Sequence, residues 1–234
     1  HLIDNGSINP ITFGQLNGLY SRGDAYYDVD WRGKWDTECG GVTINHEIHM
    51  LDIFLWLMGD AESVSAEIET VSHDIEVEDL SMAVIRFANG SIGQVNGSVS
   101  SVINEVTMSI SGKSKAISFP LKYHALKENE GGFPVQDQEG IEELKRIGSE
   151  IQAGMNGHEG PVHDLFTAIL AGKEPKVNGE EGRKVIEVIT AIYQSATSGQ
   201  PVSLPINKNN PWYTTKGLQR LVKKGKQRIT HQMN

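Results

Sequence analysis

Gly40-Gly41-Val42-Thr43-Ile44-Asn45-His46-Glu47-Ile48-His49-Met50-Leu51-Asp52-Ile53-Phe54-Leu55-Trp56-Leu57-Met58-Gly59 is the stretch whose reading decides the fold. Two glycines lead in, Gly59 stands where a C-terminal cap is expected, and Ile44, Ile48, Leu51, Leu55 and Met58 recur at spacings of four, three, four and three. That is the period of a helix with one buried face. At about 100° per residue, Asn45, His49, Asp52 and Trp56 form a second stripe beside it. A core helix has no need of such side chains. Asn45 and His49 lie about one turn apart and can converge on one small ligand, and a His at that edge can exchange protons near neutral pH. A buried His tied to a backbone carbonyl is the alternative that spacing leaves open.

On either side of this helix the chain changes character. Residues 11 to 20 read as a strand, and a loop rich in aromatics and charge runs from Arg22 through Trp35. After the helix, Val64 to Val71, Met82 to Phe87, Ser91 to Ser101, Glu105 to Ser111 and Lys115 to Phe119 alternate apolar and polar residues, with Asn89-Gly90 as a hairpin turn signal. The pattern is a meander with one solvated or partner-facing side. Residues 122 to 140 are polar and Gly-rich and read as a loop. Helical periodicity returns at 159 to 171 and 181 to 197, closed by Gly172 and Gly199, and again after Pro211. The expected fold is α+β, a largely antiparallel open sheet packed by helices on one face.

Composition excludes several classes of function. The chain has 234 residues, 21 Lys+Arg against 30 Asp+Glu and a net charge of −9, which argues against nucleic-acid binding through clustered cations. The basic run from Lys216 to Arg228 reads as a solvated helix face or tail. Cys39 is the only cysteine, so no intrachain disulfide and no cysteine zinc site can form, which fits a reducing cytoplasm. No run of eighteen apolar residues and no signal pattern occurs, so no membrane is expected. The chain opens His1-Leu2-Ile3-Asp4 in mid-pattern and reads as a fragment of something longer. It contains no G-x-G-x-x-G, Walker loop or G-x-S-x-G elbow, so no cofactor site is expected within it. The histidines of His46-Glu47-Ile48-His49 are three apart, unlike the zinc-protease motif. His46, His49 and Asp52, with His158 or His163, would be the ligands were a metal bound, and none is expected.

Tyr26-Tyr27, Trp31-Arg32-Gly33, Gly40-Gly41 through Ile48-His49 with Asp52, and Leu55-Trp56-Leu57 with Gly59 together resemble the C-terminal domain of the glucose-fructose oxidoreductase and inositol dehydrogenase (Gfo/Idh/MocA) family. Glu78-Asp79 followed by Ile85-Arg86-Phe87 and Asn89-Gly90 is similar to the family's strand pair. The tract from Gly157-His158 through Leu165-Phe166, Gly172, Pro175, Gly179 to Gly182 and Ala191 to Ala196, ending at Leu204-Pro205, resembles its closing helices. The likeness spans residues 1 to 206, leaving 207 to 234 as a basic helix or tail of the same domain.

The resemblance implies an NAD(P)-dependent enzyme that moves a hydride between a sugar or cyclitol hydroxyl carbon and nicotinamide. An N-terminal Rossmann domain, outside this chain, would hold the NAD or NADP. It implies His49 as the acid/base group beside a Lys of that other domain. Asn45 stands where an Asp is often found, and it can orient a hydroxyl but cannot titrate. Arg22, Tyr26, Tyr27, Trp31, Arg32 and Trp35 would line the substrate site, where aromatic faces stack on a pyranose and Arg grips a carboxylate or phosphate. His158 would point at the same cleft or cap its helix, and Asp52 would be structural. A homo-oligomer through the uncovered sheet face is expected. The alternative is a non-catalytic sugar-binding, oligomerisation or regulatory module.

Overall fold

A computed structural model describes residues 1–151, 154 and 157–232, with side chains described through Lys223. The elements run β1 (Ile11–Ser21), α1 (Trp35–Glu38), α2 (Ile48–Met58), β2 (Ala61–Glu69), β3 (Leu80–Phe87), β4 (Ile92–Ser98), β5 (Ser100–Gly112), β6 (Lys115–Phe119), β7 (Lys122–Glu128), β8 (Pro134–Gln136), α3 (Gln138–Ser149), α4 (Glu159–Ala171), α5 (Gly179–Ser198), β9 (Val202–Ser203) and α6 (Thr215–Gln232). Short 3-10 turns at Asp24–Tyr27 and Pro211–Tyr213 and a π-helical turn at Thr43–Glu47 complete them.

The strands form one sheet in the order β8-β7-β6-β5-β1-β4-β3-β2-β9. Every pairing is antiparallel except β1 with β4, which is parallel. The fold is therefore α+β with a largely antiparallel sheet, as the alternation implied. Alternation also decides which face is covered: Ser81, Ala83, Ile85 and Phe87 of β3 point into the core, while Met82 and Val84 point away. Helices α2, α5 and α3 pack on the covered face. The termini of α5 follow from sequence, since Asn178 accepts from the N–H groups of Glu180 and Glu181 at 3.0 and 3.1 Å and Gly199 closes the helix at φ 67°. Helix α6 joins the same core through Leu218 and Val222, and Lys223 pairs with Asp36 at 2.8 Å. The side chains of Lys224, Lys226 and Arg228 lie outside the described residues.

A floor of glycines sets the height of α2 above the sheet. Gly14 and Gly18 of β1 lie beside Gly93 and Gly97 of β4 in register. A Cβ at Gly14 or Gly93 would overlap the ring of Phe54, and one at Gly18 would overlap the Glu47 carboxylate. Four residues of strand span about 13 Å, close to the rise from Glu47 to Phe54 and Met58 along the helix. The helix thus runs along the two strands and drops a side chain into each glycine pair.

Two readings need correction. Residues 122 to 140 are not a loop but carry β7, β8 and the start of α3. These are edge elements with few inward positions, chiefly Ala125 and Leu144, so their apolar signal is weak. The buried face of α2 is also turned by one residue: Glu47, Leu51, Phe54 and Met58 are buried, while Ile44, Ile48 and Leu55 flank them. The π turn at Thr43–Glu47 admits an extra residue ahead of the α-helix and so offsets the phase.

Candidate active site on helix α2

Glu78 and Asp79, adjacent residues just before β3, position the candidate site. Glu78 is fully buried and takes the first three free N–H groups of the π turn. Gly41 donates to its Oε2 at 2.8 Å, Thr43 to its Oε1 at 3.1 Å, and Val42 to its backbone carbonyl at 3.1 Å. The Tyr193 hydroxyl of α5 donates to Oε1 at 3.0 Å. Burial pushes the Glu78 carboxyl up, and the donated hydrogen bonds oppose this. Gly40 and Gly41 are required here, because side chains would overlap the Tyr193 hydroxyl and the Glu78 carbonyl.

Asp79 is buried on the other side and accepts from the N–H groups of Val71, Ser72 and His73 at 2.7, 2.9 and 3.1 Å. Burial would raise its pKa, but these hydrogen bonds outweigh it and hold the carboxyl low. His73 Nδ1 bonds Asp79 at 3.0 Å and His73 Nε2 bonds the Arg22 carbonyl at 3.0 Å. Both ring nitrogens thus lie within hydrogen-bond distance of oxygen atoms.

The two carboxylates therefore hold two neighbouring pieces of surface. Asn45 of the π turn and His49 and Trp56 of α2 are exposed, and Asp52 of α2 is half-buried. Asn45 Nδ2 donates to the Gly40 carbonyl at 2.9 Å, which among the described residues leaves its second Nδ2 hydrogen and its oxygen for a hydroxyl. In the loop, Arg32 lies 3.7 Å from the Tyr26 ring centroid and 4.5 Å from that of Trp31, and Arg22 lies 5.2 Å from Tyr26. Tyr26 Oη is 3.5 Å from His46 Nε2. His46 is pushed down to about 4 by burial, by the charges of Arg22 and Arg32, and by His49. The His46 ring, 5.9 Å from that of Tyr26 and three residues before His49, joins the arginine cluster to this helix.

Not every expected residue joins this surface. Trp35 is the correction: it is 1% exposed, packs edge-on against Tyr193 at 5.3 Å and donates Nε1 to the Glu76 carbonyl at 2.9 Å. It is core and has no face to offer a sugar. Tyr27 is half-buried between Tyr26 and His73, with ring centroids 5.1 and 4.9 Å away, and burial followed by the charge of Asp79 pushes its hydroxyl up to about 12. It supports the loop from behind. His158 is exposed ahead of α4 and makes no capping hydrogen bond, and no described contact joins it to the α2 stripe. Asp52 lines a separate cleft between α2 and α5, with Trp56, Glu181 and Lys184. Among the described residues, no three His, Cys, Asp or Glu side chains are grouped to hold a metal ion.

The family model for the oxidoreductase family, C-terminal alpha/beta domain, matches residues 1–204. The chain belongs to the Gfo/Idh/MocA oxidoreductase family. Among solved structures it is similar to the WlbA dehydrogenase from Bordetella pertussis in complex with NADH and UDP-GlcNAcA, at 26% identity and a TM-score of 0.71, with 88% of this chain and 59% of that one covered. It shares the fold of levoglucosan dehydrogenase in complex with NADH and L-sorbose, at 22% identity, TM-score 0.70 and coverage of 88% and 61%. It also shares the fold of aldose-aldose oxidoreductase from Caulobacter crescentus complexed with glycerol, at 23%, 0.64, and 87% and 58%. No curated protein sequence matches the chain. The chain spans about three fifths of the length of these structures.

One residue of this Gfo/Idh/MocA domain went unmarked in the sequence. Glu47 is 1% exposed and neither carboxylate oxygen has a hydrogen-bond partner among the described residues. It sits over the Gly18–Gly97 pair, and burial pushes its carboxyl up to about 8. The matching Gly-x-x-x-Gly spacing of β1 and β4 was the available signal.

The sign of the pH effect follows. The ordinary carboxyl value is 4.5, so an unfolded chain ionises first and the fold loses stability as pH rises from about 4.5 to about 8. The slope is at most about 1.4 kcal/mol per pH unit. Glu47→Gln, which cannot ionise, is expected to gain thermal stability over the wild type progressively between pH 5 and pH 8. A difference in melting temperature that stays constant across that range would contradict a neutral buried Glu47.

Proposed function

We propose that this chain is the substrate half of an NAD(P)-dependent oxidoreductase that oxidises a hydroxyl of a sugar, sugar derivative or cyclitol by hydride transfer. The observation that carries the reading is the placement of His49: exposed, on a helix whose start is fixed by Glu78, and three residues after His46, whose ring packs beside the Tyr26 ring that Arg22 and Arg32 approach. Oxidising a secondary alcohol removes a hydride from carbon and a proton from oxygen, so a base is needed within about 3 Å of the hydroxyl. His49 takes that proton, and Asn45 orients the hydroxyl oxygen by donating its second Nδ2 hydrogen to it. Tyr26 and Trp31 offer ring faces to the sugar, with Arg22 and Arg32 beside them. NAD or NADP is held mainly by an N-terminal Rossmann domain that acts as this chain's partner, and the chain alone is inactive. The NADH and sugar-derivative complexes of the structural neighbours support this assignment.

In the intact protein, His49→Ala is expected to lower turnover by about 10²-fold or more with folding unchanged, because the side chain is exposed. Asn45→Ala should cost less. Wild-type turnover in the His49 variant would refute the role.

We propose further that the uncovered sheet face joins two copies of the protein. Phe13, Met82 and Val84 stand 40%, 51% and 48% exposed on it, and a polar ladder crosses it from Asn96 to Asn17 at 2.7 Å and from Asn17 to Thr107 at 3.2 Å. Such a face can support a self-complementary contact of about 1,600 Å². Light scattering at high micromolar concentration should report a dimer or larger. A strictly monomeric particle would remove this part of the reading.

A further inference from the structure

Arg22 and Arg32 are half-buried cations. Among the described residues neither forms an ion pair, although Asp24, Asp28, Asp30 and Glu38 share their stretch of chain. Glu38 accepts from the Gly33 N–H, and the charge of Arg32 acts on it from beyond ion-pair distance. Both guanidinium groups gather at one ring, that of Tyr26, at 5.2 and 3.7 Å. Two like charges held together in a partly desolvated place repel each other, and an anion between them reverses that cost. The third basic side chain of the group, His46, stays neutral at physiological pH under the same charges. It therefore adds no further cation and leaves the arginines to set the field.

The positions are built rather than accidental. The Arg22 N–H donates to the Val99 carbonyl at 3.0 Å, its carbonyl accepts from His73 at 3.0 Å, and its Nη1 donates to the Ser21 carbonyl at 2.9 Å. Arg32 is held over Tyr26 and Trp31, and its N–H donates to the Val29 carbonyl at 3.1 Å. A guanidinium lying over rings keeps its edge N–H groups available for a planar or tetrahedral oxyanion. His46 lies one turn before His49 on the same helix, so the arginines flank the group assigned to proton transfer.

We propose that Arg22 and Arg32 form an oxyanion subsite that selects sugars bearing a carboxylate or phosphate, bound on the His46 side of His49. This rests on the sugar-oxidising reading of His49. The subsite binds one oxyanion at the edge N–H groups of the two guanidinium groups around Tyr26 and leaves the reacting hydroxyl toward His49 and Asn45. Substrate charge, not ring stereochemistry alone, then decides specificity.

The test titrates the intact protein with D-glucuronate, D-glucose 6-phosphate and D-glucose, following the side-chain Nε–Hε NMR signals of Arg22 and Arg32. At least one of the acids should bind about tenfold or more tightly than glucose and shift both signals. The ratio of acid to glucose affinity should fall to about one in Arg22→Gln and in Arg32→Gln. A larger gain for glucuronate assigns the subsite to a carboxylate, and a larger gain for the phosphate assigns it to a phosphoryl group. No preference for either acid, or a preference that survives both substitutions, would overturn the subsite. Should the preference hold while His49→Ala keeps full turnover, the subsite stands and the proton-transfer reading falls.

Discussion

The buried carboxylate of Glu78 is the constraint on which the rest depends. The start of a helix exposes N–H groups with no partner inside the helix, and burying them unpaired costs free energy for each one. Here one residue takes the N–H groups of Gly41, Val42 and Thr43 and a hydroxyl from α5. A carboxyl buried this deep is costly unless its oxygens are hydrogen-bonded, so the clamp tolerates little displacement. Asp79 points the opposite way, as successive residues of an extended chain do, and through His73 it holds the backbone of Arg22. Two neighbouring carboxylates thus place the His49 helix and the arginine loop relative to one another.

The glycine floor supplies the second constraint. With side chains at Gly14, Gly18 and Gly93, the helix would have to rise from the sheet, and Phe54 would lose its seat. Close approach of backbone to helix fixes the rotation of α2 as well as its height. That rotation puts Glu47 inward and leaves Asn45, His49 and Trp56 outward. The same packing that buries an unpartnered carboxyl therefore presents the imidazole to solvent, and part of the stability given up at Glu47 is tied to the orientation of the functional stripe.

The sequence made some of this legible and hid the rest for physical reasons. Alternation in β2 to β6 and the caps at Gly172 and Gly199 are local signals, and the elements appear where they occur. The stripe of Asn45, His49 and Trp56 was readable because helical spacing survives small changes of phase. The parallel pairing of β1 with β4 was not, since alternation states which face is buried and not which neighbour a strand takes. Trp35 looked like a substrate platform because an aromatic beside arginines reads alike whether it faces solvent or Tyr193. Glu47 escaped because its burial depends on glycines of two strands that are distant in sequence. The pair Glu78-Asp79 was visible as a motif, but its role as a double clamp requires the tertiary contacts.

Native-state hydrogen exchange at the Gly41 and Thr43 amides tests the clamp most directly. These N–H groups have no partner within the helix itself, so their protection reports the Glu78 carboxylate alone. The account predicts that both exchange only through global unfolding, with the same free energy as the amide of Ile85 in the core strand β3. Exchange at the rate of free amides, or through a local fraying of α2 far below the global stability, would contradict it.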